Sequence, residues 1–312
     1  MTPETPRLTT LADQLRFPEG PVVLADGAVA LVEIAAGCVT RIGPDGARST
    51  ISAQGGGPNG LALGPDGMLY CCNNGGFAWH EEPGHLRPIG QPEDYSGGRL
   101  EAIDPRTGTV RVLYDRCGPH LLRGPNDLVI GRDGAIWFTD LGKARGRDRD
   151  HGFIFWAAPD GSRIEQVSGP FNGGANGIAL SPDERTLYVA ETDNARLWAF
   201  TVQGPGVLKR EAWPSANGGR LVYTAPGFRR YDSMAVQADG AICIATLVSG
   251  EITVLSPTGE LVRTVEMPER MPTNICFGGP GMQTAFVTLS TTGRLVSFPW
   301  GAAGLKLNDG RG

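Results

Sequence analysis

The sequence predicts an all-β fold, a six-bladed propeller of four-stranded blades. Three observations predict it: a repeated hairpin signature, a spacing of blade size, and a composition dense in turns. Six times an oxygen-bearing side chain stands seven residues ahead of a tight-turn position: Glu19 and Asp26, Asn59 and Asp66, Asn126 and Asp133, Asn176 and Asp183, Asp232 and Asp239, Asn274 and Gly281. Each first member opens a short apolar run, each second member lies in a turn, and a second apolar run follows, which is the pattern of a β-hairpin. The first members are separated by 40, 67, 50, 56 and 42 residues, by subtraction from 19, 59, 126, 176, 232 and 274. Periods of that size belong to repeat arrays, and the four-stranded blade is the all-β unit of about that length. With 46 glycines and 24 prolines in 312 residues and no long stretch of 3.6-residue periodicity, turns replace helices throughout.

The blades follow in chain order. Hairpins at Val22, Leu61, Leu128, Ile178, Met234 and Ile275 supply the two inner strands of each. The turns Pro44-Asp45-Gly46, Asp104 to Gly108, Pro159-Asp160-Gly161, Gln203 to Gly206 and Pro257-Thr258-Gly259 close the outer hairpins of blades one to five. After Gly281 there is room for strands at 284–289 and 294–299 only. Blade six is therefore expected to borrow its outermost strand from the N-terminal segment around Arg7 to Phe17, closing the ring without an open edge. No linker-like shift divides the chain, so residues 1–312 read as one domain, with about the first 13 residues expected as a mobile tail.

A formal charge of −5 opposes a nucleic-acid or anionic-membrane partner. The start lacks the basic and apolar parts of a secretion signal, and no 18-residue apolar run is present. Six cysteines without Cys-x-x-Cys spacing suit a reducing cytoplasm, the expected location.

In a propeller the first strand of every blade lines the central channel, so the six first members form a ring at one mouth: Glu, Asn, Asn, Asn, Asp, Asn. Two carboxylates confined there repel unless protonated or neutralised by a cation. An all-oxygen shell suits a hard divalent ion such as Ca²⁺, Mg²⁺ or Mn²⁺. The competing reading is a ring of local turn-formers. That reading favours one residue type in all six places, which Glu19 and Asp232 break.

Phe17-Pro18-Glu19-Gly20-Pro21, Gly57-Pro58-Asn59-Gly60-Leu61, Gly124-Pro125-Asn126-Asp127, the stretch Asn176 to Asp183, and Tyr231-Asp232-Ser233-Met234 resemble the blade-opening motifs of the senescence-marker-protein, gluconolactonase and luciferin-regenerating-enzyme family. The resemblance covers nearly the whole chain. It implies a six-bladed propeller with one catalytic divalent cation, calcium first and magnesium, manganese, zinc or iron as alternatives. The implied ligands are Glu19, Asn176 and Asp232, with Asn126 as a fourth ligand or a substrate contact. Animal members carry an arginine two residues before the third-blade asparagine; Gly124 stands there, and Arg123 beside it is a candidate substrate contact from a different backbone position.

The loop joining the second and third strands of blade two, Asn73 to Arg99, is long and carries Trp79 and His80, candidate substrate contacts. It reads either as a lid or as a surface loop anchored by its aromatics. The run Lys143, Arg145, Arg147, Asp148, Arg149, Asp150 and His151 reads as a solvated face, with attraction of an anionic ligand as the alternative that the interleaved aspartates weaken. His120 is a secondary candidate at the mouth, and Asn59 and Asn274 are outer contacts. The function expected is divalent-metal-dependent opening of a small lactone, sugar-derived or other, with Asp232 as the base. The alternatives are an aryl-ester or organophosphate hydrolase on the same scaffold and a non-enzymatic binding propeller. No Gly-x-Ser-x-Gly or phosphate-binding loop competes.

Overall fold

The computed structural model describes residues 4–307. Six antiparallel sheets, five of four strands and one of five, are arrayed around a channel. Their innermost strands are Pro18–Val23, Pro58–Leu63, Pro125–Ile130, Ala175–Leu180, Arg230–Val236 and Pro272–Gly278. Five of the predicted turns close by one device: Asp26, Asp66, Asp133, Asp183 and Asp239 each accept a bond at 3.0 or 3.1 Å from the N–H two residues on. The sixth turn, at Gly281, is a short 3₁₀ segment with Gly281 at φ +63°.

Thr9–Ala12 pairs antiparallel with Arg294–Pro299 and completes blade six, as expected for the seam. The stretch ahead of it, expected as a tail, is paired to blade five at Glu4. Glu4 donates its N–H to Thr264 O at 3.0 Å and accepts from Glu266 N–H at 2.8 Å, on the outer strand of blade five. Residues 1–3 of that expected tail lie outside the described residues. Blade four departs from expectation, because the Gln203 to Gly206 turn leads only to a three-residue strand, Val207–Lys209. A separate strand, Arg220–Thr224, covers the other half of Arg196–Gly204, so the outer edge of this blade is split.

Neighbouring inner strands approach closely. A Cβ on Gly60 would stand 2.6 Å from Asn126 O, and one on Gly177 2.5 Å from Asp232 O. The glycine of each Asn-Gly pair is therefore needed for the next blade to pack, which explains the dipeptide physically. Among the described residues no helix is long and apolar enough to cross a membrane.

Candidate functional site

Every inner strand loses register with its neighbour around the ring residue, between Glu19 and Val22, Pro58 and Leu61, Pro125 and Leu128, Ala175 and Ile178, Tyr231 and Met234, and Pro272 and Asn274. Such bulges re-aim a side chain. Here they gather Glu19, Asn59, Asn126, Asn176 and Asn274, all buried, and Asp232, a half-buried residue whose carboxyl group is enclosed by protein, around one mouth of the channel.

A second set of polar groups fixes the chain just ahead of the ring. Glu33 accepts from Arg16 N–H at 2.7 Å, Asn73 from Gly57 N–H at 2.8 Å, Asp140 from Arg123 and Gly124 N–H at 2.7 Å each, and Glu191 from Gly173 N–H at 2.9 Å. Sequence reasoning passed over these four, although their spacing carries a signal: 33, 73 and 140 each lie 14 residues after 19, 59 and 126, and 191 lies 15 after 176.

Within the ring, Glu19 accepts from Asn274 Nδ2 and from Gly20 N–H, both at 2.8 Å. Burial raises its pKa, and the bonds from Asn274, Thr273 and Gly20 pull it back. Asp232 is pushed well above the usual carboxylate range by burial first and then by the Glu19 charge; a side-chain bond from Asn176 opposes the shift. Asp127, absent from the predicted site, is a third buried acid here. Burial and the Glu19 charge bring it up to about 7, against bonds from Leu128 N–H, the Ser233 hydroxyl and Ile178 N–H. The signal for it was visible, since Asn59 and Asn176 are followed by glycine and Asn126 by an acid.

Asn176 Oδ1 is buried without a hydrogen-bond partner. An orphaned amide oxygen beside two buried carboxylates is a donor set suited to a hard cation. Glu19, Asp232 and Asn176 fit such an ion, with Asn126 beside them. Among the described residues no three His, Cys, Asp or Glu side chains form a metal cluster, so any cation held here depends on amide oxygens as well. Below the ring the channel turns apolar, about 440 Å³ lined by Val22, Leu63, Val129, Met234 and Phe277, and reaches Leu305 to Leu307 at its far end.

The long blade-two loop folds into a hairpin, Ala78–Glu82 and His85–Gly90, laid over blade one. Trp79 packs on Phe17 at 5.1 Å, Arg16 pairs with Glu81 at 2.5 Å, buried Leu86 joins the blade-one core, and Leu86 N–H reaches Thr291 O at 3.0 Å. Its base is held by Lys143, fully buried, whose Nζ donates to Asn74 Oδ1 at 2.9 Å and Gly76 O at 2.6 Å and lies 4.1 Å from the Phe77 ring centre. The reading of Lys143 as part of a solvated face is thereby corrected.

Trp79 thus stands beside the segment bearing Glu19, while His80 turns to Glu82 Oε1 at 2.6 Å. Arg123 is exposed on the mouth side, its backbone clamped by Asp140 and its carbonyl by Tyr95 OH at 2.5 Å. His120 is not brought to the ring. It lies exposed on a two-stranded piece, Arg116–Cys117 with His120–Leu121, packed against the outermost strand of blade three. A connection between blades runs around the periphery, so closeness in sequence to Asn126 did not place it near the channel.

The SMP-30/Gluconolactonase/LRE-like region matches residues 17–291. A gluconolactonase of Zymomonas mobilis is 25% identical over 308 residues, covering 91% of this chain and 79% of its own. A 6-deoxy-6-sulfogluconolactonase of Pseudomonas putida is 25% identical over 241 residues, 64% of this chain and 79% of its own. Among solved structures, a gluconolactonase of Xanthomonas campestris superposes with a TM-score of 0.73 at 25% identity, covering 94% of this chain and 89% of that one. The calcium-binding protein regucalcin of Agrobacterium tumefaciens gives 0.75 at 18% identity over 99% and 98%, a likeness of fold.

Proposed function

Since the chain belongs to the SMP-30/gluconolactonase/LRE-like family, we propose that this lactone-hydrolysing propeller enzyme acts on a small, sugar-like lactone and depends on one divalent cation, with calcium first among the alternatives. The observation that carries the reading is the partnerless Asn176 Oδ1 beside the buried carboxylates of Glu19 and Asp232. Glu19, Asp232 and Asn176 would hold the cation, and Asn126 would complete its shell or orient substrate. When bound, the cation supplies Lewis acidity toward the lactone carbonyl and neutralises the two acids.

The chain's own groups carry the proton. Asp232 accepts it from water as the water oxygen bonds to the carbonyl carbon. The ring C–O bond then breaks and the proton passes to the departing alkoxide, leaving a hydroxy acid. Asn274 orients Glu19 through its amide N–H, Asn59 contributes an outer contact, and Trp79 and Arg123 border the mouth where substrate arrives. The location proposed is the cytoplasm, with a small molecule as the partner.

A panel of aldonolactones, simple γ- and δ-lactones and aryl esters, each run with and without chelator, tests the reading. Chelator-sensitive turnover concentrated in the lactone arm supports it. Turnover confined to aryl esters, or absent from every arm, overturns it.

A further inference from the structure

The basic run between the second and third strands of blade three separates into parts with different fates. Lys143 is buried under the hairpin, and Arg145 spends its donors on Asp148 at 2.9 Å and Asp150 at 3.0 Å, two anions around one cation. Arg149 leaves the run and pairs with Asp193 Oδ2 in blade four. The other oxygen of the same carboxylate, Asp193 Oδ1, takes Arg230 at the opening of blade five. Two guanidinium groups therefore share one carboxylate, leaving an excess of one positive charge.

Its position ties this charge to the ring. Arg230 lies two residues ahead of Asp232. The Arg149 guanidinium lies against Gly174, two residues ahead of Asn176, where a Cβ would meet Nη2 at 3.1 Å. The loop bearing Asp193 is fixed to both blade openings: Thr192 and Asp193 donate to Gly174 O and Gly173 O at 3.0 Å, and Tyr231 N–H donates to Thr192 O at 3.3 Å. The side chains of Arg149, Arg230 and Asp193 remain 39%, 42% and 33% exposed, so guanidinium edges stay open to a ligand. Arginine forks match oxyanions in geometry as well as charge.

We propose that Arg149 and Arg230, bridged by Asp193, form an oxyanion-binding subsite on the rim beside Asn176 and Asp232, and that the lactone opened here carries a phosphate, sulfonate or carboxylate remote from its carbonyl. The substrate half of this inference rests on the lactonase reading; the anion site does not.

The test compares glucono-1,5-lactone with 6-phosphoglucono-1,5-lactone as substrates, and gluconate with 6-phosphogluconate as calorimetric ligands. The parent is expected to show a KM roughly tenfold lower for the phosphorylated lactone, and Arg149→Gln or Arg230→Gln to raise that KM roughly tenfold with a much smaller change in kcat. Arg230→Lys should recover part of the loss. Asp193→Asn removes the competing anion and should lower the same KM, a direction that structural damage does not produce. Equal KM and equal affinity with and without the phosphate, or values indifferent to both arginines, overturn the subsite. If neither lactone is hydrolysed, the lactonase reading fails by itself. Tighter binding of 6-phosphogluconate than of gluconate, lost in the Arg149→Gln/Arg230→Gln protein, would then still establish the anion site.

Discussion

Asn274 donates its side-chain N–H to the carboxylate of Glu19 at 2.8 Å, joining the last blade to the first across 255 residues of sequence. The bond lies between the innermost strands of blades six and one, at the opposite edge of blade six from its N-terminal closing strand, so one contact both ties these two blades at the channel and aims a proposed cation ligand. Replacing Asn274 by Leu leaves a buried carboxylate short of a donor. Cation affinity is expected to fall by about 10- to 100-fold, the usual effect of losing an outer partner. Turnover should recover as metal is raised to saturation. Calorimetric titration beside turnover checks this, and a loss of turnover that no metal concentration restores contradicts it.

Asp232 and Asn176 separate base from ligand. Asp232→Asn keeps an oxygen and the side-chain size but removes the proton acceptor, so turnover at saturating metal should fall by roughly two to four orders of magnitude. Asn176→Ala deletes the orphaned oxygen, and its chief defect should be affinity, with activity partly restored by excess metal. Near-parental turnover of Asp232→Asn would transfer the base role elsewhere.

Much of this arrangement is legible in the sequence, because a repeat fixes equivalent positions. Once the turn aspartates mark the hairpins, Glu19 and Asp232 must share a mouth with the asparagines. What escaped notice depends on radial position or on depth, which a repeat period does not encode. His120 lies at the outer edge of blade three although it is six residues from Asn126, by subtraction of 120 from 126. Lys143 sits in a charged run and is nonetheless among the most buried side chains, because its hydrogen-bond partners come from another blade. Asp127 and the set Glu33, Asn73, Asp140 and Glu191 left traces in spacing and in the broken Asn-Gly pattern.

Lys143 gives a pH prediction. Burial lowers its pKa to about 7, against the opposing pull of Asp140 and Asp150. Between that value and the ordinary lysine range the unfolded chain binds a proton that the folded chain does not, so this residue's contribution to stability rises with pH across that window. Lys143→Met lacks the titrating group and leaves Asn74 Oδ1 and Gly76 O without their donor. The parent's advantage in Tm over the variant should therefore widen from about pH 6.5 to about 9.5, a range that starts roughly half a unit below the folded pKa and runs roughly two and a half units above it, inside the window. Thermal denaturation of both proteins across that range decides it, and a constant or narrowing gap contradicts the assignment.

The blade-two hairpin is expected to behave as a fixed wall. Leu86 is inserted in the blade-one core, worth about 1.5–3 kcal/mol for a fully buried side chain, and Trp79 packs on Phe17 with its ring tilted. Amide exchange of 78–90 should be slow and little changed by substrate. Fast exchange that slows when substrate is added would make it a moving lid.

The central claim is that one divalent ion, held by Glu19, Asp232 and Asn176, is required for lactone opening. Its most direct test is calorimetric titration of chelator-stripped protein with Ca²⁺, followed in the same samples by hydrolysis of glucono-1,5-lactone. The account predicts about one ion bound per chain, no hydrolysis before addition, and recovery that tracks occupancy. Hydrolysis at full rate in stripped protein, or the absence of stoichiometric binding by Ca²⁺, Mg²⁺, Mn²⁺, Zn²⁺ and Fe²⁺ alike, would contradict it.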